Sequence, residues 1–437
     1  MTTSNPKEAY VWVWLPSSSE PVVAGKIYTE GKKYNFVYGQ SYLERKNAIS
    51  LFLNELPLRQ GMIEPAVNLE MAGCLRDASP DAWGRRVIIH RRHGANVDIS
   101  TEGELDELTY LLESGSDRIG MLDFQRSSTI YEPRQSDSPT LEDLMEAASR
   151  VEQGLPINPA LEKALLHGSS IGGARPKSLI ETDNKKYIAK FSSSNDIYNV
   201  VKAEFIAMRL AGIVGIDVAP TKLVNTSGKD VLLIERFDRM LTHDNWERRG
   251  LVSALTLLKL NEMEARYASY TDLAEIIRRE VEHPKQTLKE LFSRMTFNVL
   301  CGNNDDHARN HAFFWDGSKL SLTPAYDICP QNRTGQESSQ AMKIFNEDNH
   351  SRFSTCLNAA NQFLLNEKES TEIIINQVNN LLSSWETLCD EAEFSPVDRR
   401  LFVGRQILNP YCYQDLSNSH PELYEVCVST VKSLATI

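Results

Sequence analysis

A short polar run, Asn303-Asn304-Asp305-Asp306-His307-Ala308-Arg309-Asn310-His311, lies between the apolar stretch Leu291 to Leu300 and the aromatic triplet Phe313-Phe314-Trp315. Asp305 and Asn310 stand in the spacing D-x-x-x-x-N, and a further acid, Asp327, follows the Asn by 17 residues within Leu322-Thr323-Pro324-Ala325-Tyr326-Asp327-Ile328. The flanks limit what can be built around this run. Leu291 to Leu300 reads as a buried helix and Phe313 to Trp315 as a short strand, and two short strands around a polar loop would turn both acids toward one ligand. Other readings of the same residues stand beside this one. Asn and Asp hydrogen-bond their own backbone, so the run is also a plain turn signal. His307 and His311 are four apart, as metal ligands on a helix would be, although no H-E-x-x-H pattern is present and Asn-Asn-Asp-Asp starts a helix poorly. Asp305, Asp306, His307 and His311 together make the donor set of a metal-dependent hydrolase.

The 437 residues suffice for two or three domains, and 41% hydrophobic residues supply packed cores. A net charge of −12 argues against a broad nucleic-acid footprint. DNA contact is therefore expected at most through a basic partner. Seven cysteines, Cys74, Cys301, Cys329, Cys356, Cys389, Cys412 and Cys427, form no C-x-x-C pair and suggest neither a disulfide frame nor a zinc site. The stretch from Met1 to Glu8 lacks an apolar signal core, and no run approaches the roughly 18 apolar residues of a membrane span. A cytoplasmic protein with no membrane contact is expected.

In chain order, Ala9 to Leu15, Val22 to Tyr28 and Lys33 to Tyr38 read as three strands of a small mixed domain. Helical patterns follow at Leu69 to Leu75, at Asp81 to Ile89 behind the start signal Ser79-Pro80, and at Leu105 to Leu112. Gly115-Ser116-Asp117-Arg118-Ile119-Gly120 reads as a loop before the strand Met121 to Phe124. The basic cluster Arg85, Arg86, His90, Arg91, Arg92, His93 reads as a favourable helix end. From Arg126 to Ser138 the chain is polar and carries Pro133, with Pro139 directly after it, a domain boundary. After helices at Leu141 to Glu152 and Ala160 to His167, the loop Gly168 to Lys177 runs into the strand Ser178 to Ile180. Gly172 and Gly173 let backbone N–H groups approach a phosphate, and Arg175 and Lys177 add positive charge. The strand Lys186 to Phe191 contains Lys190, and the helix Ile197 to Gly215 contains Glu204, a partner for that lysine or a solvated helix acid. Val231 to Asp238 is an apolar strand ending in charge. Helices then dominate, through Tyr270 to Val281, Leu288 to Leu300, Ile373 to Cys389 and Arg399 to Ile407.

A strand-rich half, a charged hinge and a helical half is the order of parts in protein kinases. There a catalytic-loop Asp accepts the substrate hydroxyl proton, an Asn binds Mg²⁺, a later Asp binds Mg²⁺, and a strand lysine holds the ATP phosphates. More specifically, the chain resembles the HipA-type serine/threonine kinases, toxins of type II toxin–antitoxin pairs, over nearly its whole length. The resemblance is carried by Leu75-Arg76-Asp77-Ala78-Ser79-Pro80-Asp81-Ala82-Trp83-Gly84-Arg85, by Gly115 to Gly120, by Ser169 to Lys177, by Glu235-Arg236-Phe237-Asp238-Arg239, by Asn304 to Asn310 and by Tyr326-Asp327. It implies an α+β, bilobal kinase-like fold with a strand-rich N-terminal lobe and an all-helical C-terminal lobe. The expected divisions are an N-terminal subdomain over 1–125, a nucleotide-binding part over 139–238 and a helical lobe over 239–437.

The resemblance also implies roles. Asp305 is the general base, Asn310 and Asp327 are Mg²⁺ ligands, and Lys190 contacts the ATP phosphates. Gly172, Gly173, Ala174, Arg175, Pro176 and Lys177, with Glu235, Arg236, Phe237, His307, Ala308, Arg309, Asn310, Tyr326 and Asp327, line the nucleotide. Ser170 corresponds to the loop serine that such kinases autophosphorylate. The implied partners are a HipB-like DNA-binding antitoxin and a protein substrate such as an aminoacyl-tRNA synthetase, with growth arrest as the outcome. A catalytically silent co-repressor bound to such an antitoxin is the alternative. No His-Arg precedes Asp305, Ile328-Cys329 stands where Phe-Gly is usual, and no Ala-Pro-Glu follows, so activation-loop control of the eukaryotic kind is not expected.

Overall fold

Near-complete burial of the first strand sets the architecture of the N-terminal part. In Glu8–Trp14 the side chains of Val11 and Val13 are fully buried, and the strand pairs antiparallel on one side with Pro21–Glu30 and on the other with Leu122–Gln125. The computed structural model describes residues 6–94, 105–134, 139–193, 196–333, 335 and 337–435. Within them the chain divides into two compact units: Met1–Asn195 with Val224–Val252 and Phe314–Ser318, and Asp196–Leu223 with Ser253–Phe313 and Lys319–Ile437. The secondary structure is α+β. Part of the boundary expected between Arg126 and Ser138 lies outside the described residues.

Besides the hairpin Arg239–Thr242 with Asn245–Arg248, the first unit holds two larger sheets. One has five strands in the order Met62–Ile63, Lys33–Tyr38, Pro21–Glu30, Glu8–Trp14, Leu122–Gln125. The other is built on Lys185–Phe191, which pairs antiparallel with Lys177–Thr182 and with Lys229–Glu235, while Thr221–Thr226, in which the chain crosses into this unit, completes the order. Helices Leu141–Glu152 and Pro159–Gly168 bury Leu144, Ala148 and Leu165 in one cluster with Trp83, Tyr187, Ala189 and Leu233 from that sheet and from helix Ala82–His93. Both helices start where the sequence marks them, at Thr140 with a capping box and at Asn158 before Pro159. The basic end of Ala82–His93 is neutralised locally, Arg91 and Arg92 reaching Glu113.

The helical pattern expected over Leu69 to Leu75 forms only the short turn Gly73–Arg76. Its backbone is committed elsewhere: the Tyr34 N–H donates to the Glu70 carbonyl, Tyr34 bridges Met71, and the Glu55 carboxylate accepts the N–H groups of Gly73 and Cys74 at 2.8 Å each. Tertiary hydrogen bonds thus override a weak helical preference.

One set of polar contacts joins the N-terminal sheet of this unit to its second sheet. Asp117, side chain 3% exposed, receives Arg236 at 3.0 Å, Arg239 at 2.8 Å and Lys186 at 2.9 Å. Asp238 receives Arg236 at 2.9 Å, Arg239 at 2.8 Å and the Gly120 N–H at 2.8 Å. Arg118 pairs with Asp123 at 2.9 Å and donates to the Ala78 carbonyl, and Arg134 also reaches Asp123. Burial works to raise the Asp117 carboxyl, but Arg236, Arg239 and Lys186 outweigh it and hold it well below the usual carboxylate range. Burial likewise pulls the Arg239 guanidinium down to about 10.

The second unit is mainly helical. Pro284–Cys301 packs against Tyr270–Glu280 and Glu367–Glu391, with Phe292 and Phe363 meeting edge to face at 5.5 Å. Glu367–Glu391 opens on the Asn366 capping box and packs against Val200–Ile213 and Pro421–Ala435. The helix expected from Arg399 to Ile407 stops at Phe402, because Val403 is extended and Gly404 turns with φ +74°. Leu320–Leu322 is a short strand in this unit.

Replacing Asp117 with Ala leaves three cations buried around a lost counter-charge, and breaking such a buried pair costs about 3–5 kcal/mol. Urea unfolding should show that loss at neutral pH. The stabilisation from a depressed carboxyl is complete above its unfolded pKa near 3.9 and disappears as pH falls through the lower native value. The wild-type advantage over Asp117→Ala should therefore persist from pH 7 to about pH 4 and shrink only below it. Equal unfolding midpoints at pH 7 would remove the network from this role.

Candidate active site

The catalytic-loop residues belong to the second unit and are placed by the end of helix Pro284–Cys301. That helix stops at Gly302, whose φ is +71° and where a Cβ would lie 2.2 Å from the Gln406 carbonyl oxygen, so only glycine fits. Asn303 then folds back, its backbone N–H donating to the Asn298 carbonyl at 2.9 Å and its side chain to the Asn298 amide oxygen at 3.0 Å. A single 3₁₀ turn, Ala308–Asn310, closes the loop, with the His307 N–H on the Asp305 carbonyl at 2.9 Å.

Asn310, side chain turned inward, donates its amide hydrogen to the Asp305 carbonyl at 3.2 Å. This contact brings the two sequence-predicted residues together and fixes the Asn310 amide so that its oxygen remains an acceptor. The Asp305 side chain itself is exposed. Its carboxyl is nevertheless raised above the ordinary value, by partial desolvation and by the neighbouring carboxylates Asp327 and Asp306, against the opposing pull of His307. Asp327 has φ +59°, a left-handed conformation that Asp tolerates better than most residues and that is often found at functional positions. It is held in register by Ala325, which bridges Val218 and exchanges hydrogen bonds with Asp217 and Ala219, and by Tyr326, whose hydroxyl donates to the Arg309 carbonyl at 2.7 Å.

Asp306 and His311 have a different place. Both are 3% exposed at the side chain and 2.9 Å apart, and the Tyr270 hydroxyl donates to Asp306 and lies 3.2 Å from His311. This buried triad anchors the loop to helix Tyr270–Glu280. The hydrolase reading required Asp306 and His311 as metal ligands, and their commitment to Tyr270 corrects it. Among the described residues no group of three or more His, Cys, Asp and Glu is arranged to hold a metal ion. The oxygen donors Asp327 and Asn310, with Asp305 nearby, match the hard-ligand chemistry of Mg²⁺.

The glycine loop and the lysine strand belong to the first unit. Lys190, 7% exposed, sits opposite Lys177 across the two paired strands. The loop before them is held by the segment Ser79 to Arg85, which sequence reading attributed only to a subdomain. The Asp81 carboxylate accepts the Gly173 N–H at 2.7 Å, the Trp83 N–H donates to the Gly173 carbonyl at 3.2 Å, and the Trp83 indole donates to the Lys177 carbonyl at 2.9 Å. Gly84 admits the loop so closely that a Cβ would lie 1.8 Å from the Ser169 carbonyl oxygen. The Lys177 ammonium donates to the Gly172 carbonyl. Ser169 is engaged on both sides, donating to Leu166 and accepting from the Gly115 N–H, whereas the buried Ser170 hydroxyl has no hydrogen-bond partner.

Glu235 ends the strand Lys229–Glu235 and is paired with Lys185 at 2.6 Å. The side chain of Arg236 is drawn into the Asp117 network, and its N–H donates to the Lys186 carbonyl at 2.8 Å. Phe237 meets Phe314 edge to face at 5.8 Å. Glu204 is buried in helix Val200–Ile213 of the second unit.

Comparison with known proteins adds to this geometry. Residues 13–125 match the model of the HipA N-terminal domain, and residues 169–385 match that of the HipA-like C-terminal domain. The chain is similar to the serine/threonine-protein kinase toxin HipA of Shewanella oneidensis, 26% identical over 183 residues, which are 36% of this chain and 42% of that protein. It is also similar to a putative kinase of Haemophilus influenzae, 30% identical over 180 residues covering 37% of this chain and 52% of that one. The putative kinase Y4mE of Sinorhizobium fredii is 30% identical over 130 residues, 29% and 31% of the two chains. The chain thus spans between about a third and about a half of the curated relatives it matches. Its fold is similar to that of HipA from Shewanella oneidensis, solved with HipB and operator DNA, with a TM-score of 0.65 at 16% identity over 95% of this chain and 98% of that one. With both domain models matched in chain order and the fold alike along nearly its whole length, the chain belongs to the HipA family.

Proposed function

We propose that the protein transfers the γ-phosphate of ATP to a serine or threonine hydroxyl of another protein, as a kinase of the HipA toxin type. The observation that carries this reading is the Asp305–Asn310 contact beside Asp327: one carboxylate raised toward base strength, one amide oxygen and one further carboxylate on a single loop framework. Asp305 orients the acceptor hydroxyl and takes its proton, and its raised carboxyl improves the match to that task. Asn310 and Asp327 hold Mg²⁺, which when bound neutralises charge on the phosphates. Lys190, Lys177, Arg175 and the backbone of Gly172 to Pro176 take the phosphates, while Glu235, Arg236 and Phe237 meet the base through their backbone and the Phe237 ring, with His307, Ala308, Arg309 and Tyr326 completing the lining. The relatives' names, kinase and serine/threonine-protein kinase toxin, support the reaction class. An aminoacyl-tRNA synthetase is the substrate this reading favours. The HipB in the structure of the Shewanella HipA supports a HipB-like antitoxin as partner, with DNA reached through it. No described helix is long and apolar enough to cross a membrane, consistent with the cytoplasmic location we assign.

Incubation of the purified chain with Mg²⁺ and γ-labelled ATP should yield a phosphoprotein. Asp305→Asn and Asp327→Ala should each stay folded and lower kcat by about 10²–10⁴, the range of a general base or a charge-stabilising group. Because Asp305 must be ionised to act, the rate should fall with decreasing pH on a limb lying above the ordinary Asp value near 3.9. An Asp327→Ala protein with wild-type turnover would refute the metal assignment.

Ser170 is the self-phosphorylation site in this reading. Its hydroxyl is unengaged while Ser169 makes two hydrogen bonds, which favours Ser170 of the adjacent pair. The site is 2% exposed, and a phosphate there brings a charge of about −1.5 to −2, so the loop has to leave its seat to carry it. Phosphorylation then switches the kinase off by displacing the loop that holds ATP. Mass spectrometry should find the phosphate on Ser170, and Asp81→Ala, which releases Gly173, should accelerate its appearance several-fold. Phosphate on Ser169, or slower modification in Asp81→Ala, would count against the seat.

A further inference from the structure

A cluster of cationic side chains in the second unit lies outside the roles assigned above. Arg333 follows Asp327 by six positions, and Arg352 opens helix Phe353–Ala359. Both guanidiniums face one aromatic ring: the Arg352 carbon lies 4.3 Å and the Arg333 carbon 5.9 Å from the centre of Tyr411. Tyr411 is 2% exposed, and its hydroxyl has no hydrogen-bond partner. Neither do the buried Nε and one terminal nitrogen of Arg333, nor the buried Nε of Arg352. The outer edge of Arg352 lies 3.7 Å from Asp415, which Ser354 also engages. Arg333 has no carboxylate partner among the described residues.

Two like charges over one ring, with four buried polar atoms left unbonded, is an unfavourable arrangement for a protein to keep empty. Buried guanidinium N–H groups are normally satisfied, and exceptions call for a bound water or ion. Burial lowers the Arg333 guanidinium from its usual value, as expected of a cation without a counter-charge. The missing component is an oxyanion. Guanidinium forks match the tetrahedral oxygens of a phosphate, and a tyrosine hydroxyl adds a neutral donor. The cluster also adjoins the catalytic loop. The Gln331 N–H donates to the Gly302 carbonyl at 2.9 Å, the Gln406 carbonyl packs on Gly302, and the Leu408 N–H donates to Leu300 at 2.7 Å, so both flanking segments rest on the helix end that feeds Asp305.

We propose that Arg333, Arg352 and the Tyr411 hydroxyl form a binding site for a phosphate-type oxyanion beside the catalytic loop, separate from the nucleotide phosphates. Its ligand is either inorganic phosphate or a phosphate monoester on a polypeptide.

The full chain is unfolded thermally in phosphate-free buffer with increasing inorganic phosphate, against chloride at matched ionic strength. The wild-type midpoint should rise with phosphate and not with chloride. Arg333→Met should start no lower than the wild type, since it removes a cation whose buried nitrogens are unbonded, and both Arg333→Met and Arg352→Met should bind phosphate at least about tenfold more weakly. Lys190→Met, altered in the other phosphate-contacting region, should keep the response. In a second arm, a peptide of residues 164–176 phosphorylated on Ser170 replaces phosphate. Tighter binding than inorganic phosphate, lost in Arg333→Met, assigns the site to a phosphorylated polypeptide, and weaker binding assigns it to free phosphate. A wild-type response in both arginine variants, or its loss in Lys190→Met alone, overturns the site. So does an Arg333→Met protein that melts well below the wild type with its phosphate response intact, because Arg333 would then be a structural residue.

Discussion

The Asp117 carboxylate, buried among Arg236, Arg239 and Lys186, is the contact on which the arrangement of the first unit depends. It ties Gly115–Gly120, a loop of the N-terminal part, to Glu235–Arg239, the segment that leaves the four-stranded sheet. Both stretches are rich in charged and polar side chains. Their position is set by charge pairs that require both partners, and removing one strands the others in a medium that solvates them poorly. The same network explains why a sequence so rich in exposed acids also buries so many arginines: Arg118, Arg236 and Arg239 are held by Asp123, Asp117 and Asp238 and by carbonyls.

The loop from Asn303 to His311 follows the same logic on a smaller scale. Its candidate site residues are interspersed with residues of the same types that are committed to the frame. Asp305 points outward while Asp306 turns inward to Tyr270 and His311. Asn310 uses its amide hydrogen on the Asp305 carbonyl, while Asn303 uses its own on Asn298. Adjacent identical residues thus divide between the site and the frame. In the first unit, Ser169 is hydrogen-bonded into the frame while the buried Ser170 hydroxyl has no hydrogen-bond partner.

This division marks how far the sequence could be read. Strands set off by turn residues, such as Lys33–Tyr38 after Glu30-Gly31-Lys32, and helices with written caps, such as Leu141–Glu152, were legible to within a residue or two. The spacing of Asp305, Asn310 and Asp327 pointed to a candidate site, and the loop geometry sets the Asn310 amide on the Asp305 carbonyl. What was not legible depended on long-range partners. Nothing local in Arg236 distinguishes a guanidinium beside a ligand from one drawn to an aspartate 119 residues earlier. Asp81 looks like a helix start, yet it also binds the loop at Gly173. The hairpin Arg239–Thr242 with Asn245–Arg248 and the tail helix Pro421–Ala435 escaped notice because their patterns are short or mixed. The helix expected at Leu69 to Leu75 failed because sheet-edge hydrogen bonds claimed its backbone.

The central claim is that Asp305 is the general base in transfer of the ATP γ-phosphate to a serine or threonine of another protein. It is tested most directly by quantitative phosphoproteomics of cells producing the wild-type chain against cells producing Asp305→Asn at equal level. The account predicts one or a few Ser or Thr sites, on proteins other than this chain, whose occupancy rises only with the wild type and does so before growth slows. Identical phosphoproteomes in the two cultures, with growth arrested equally in both, would contradict it.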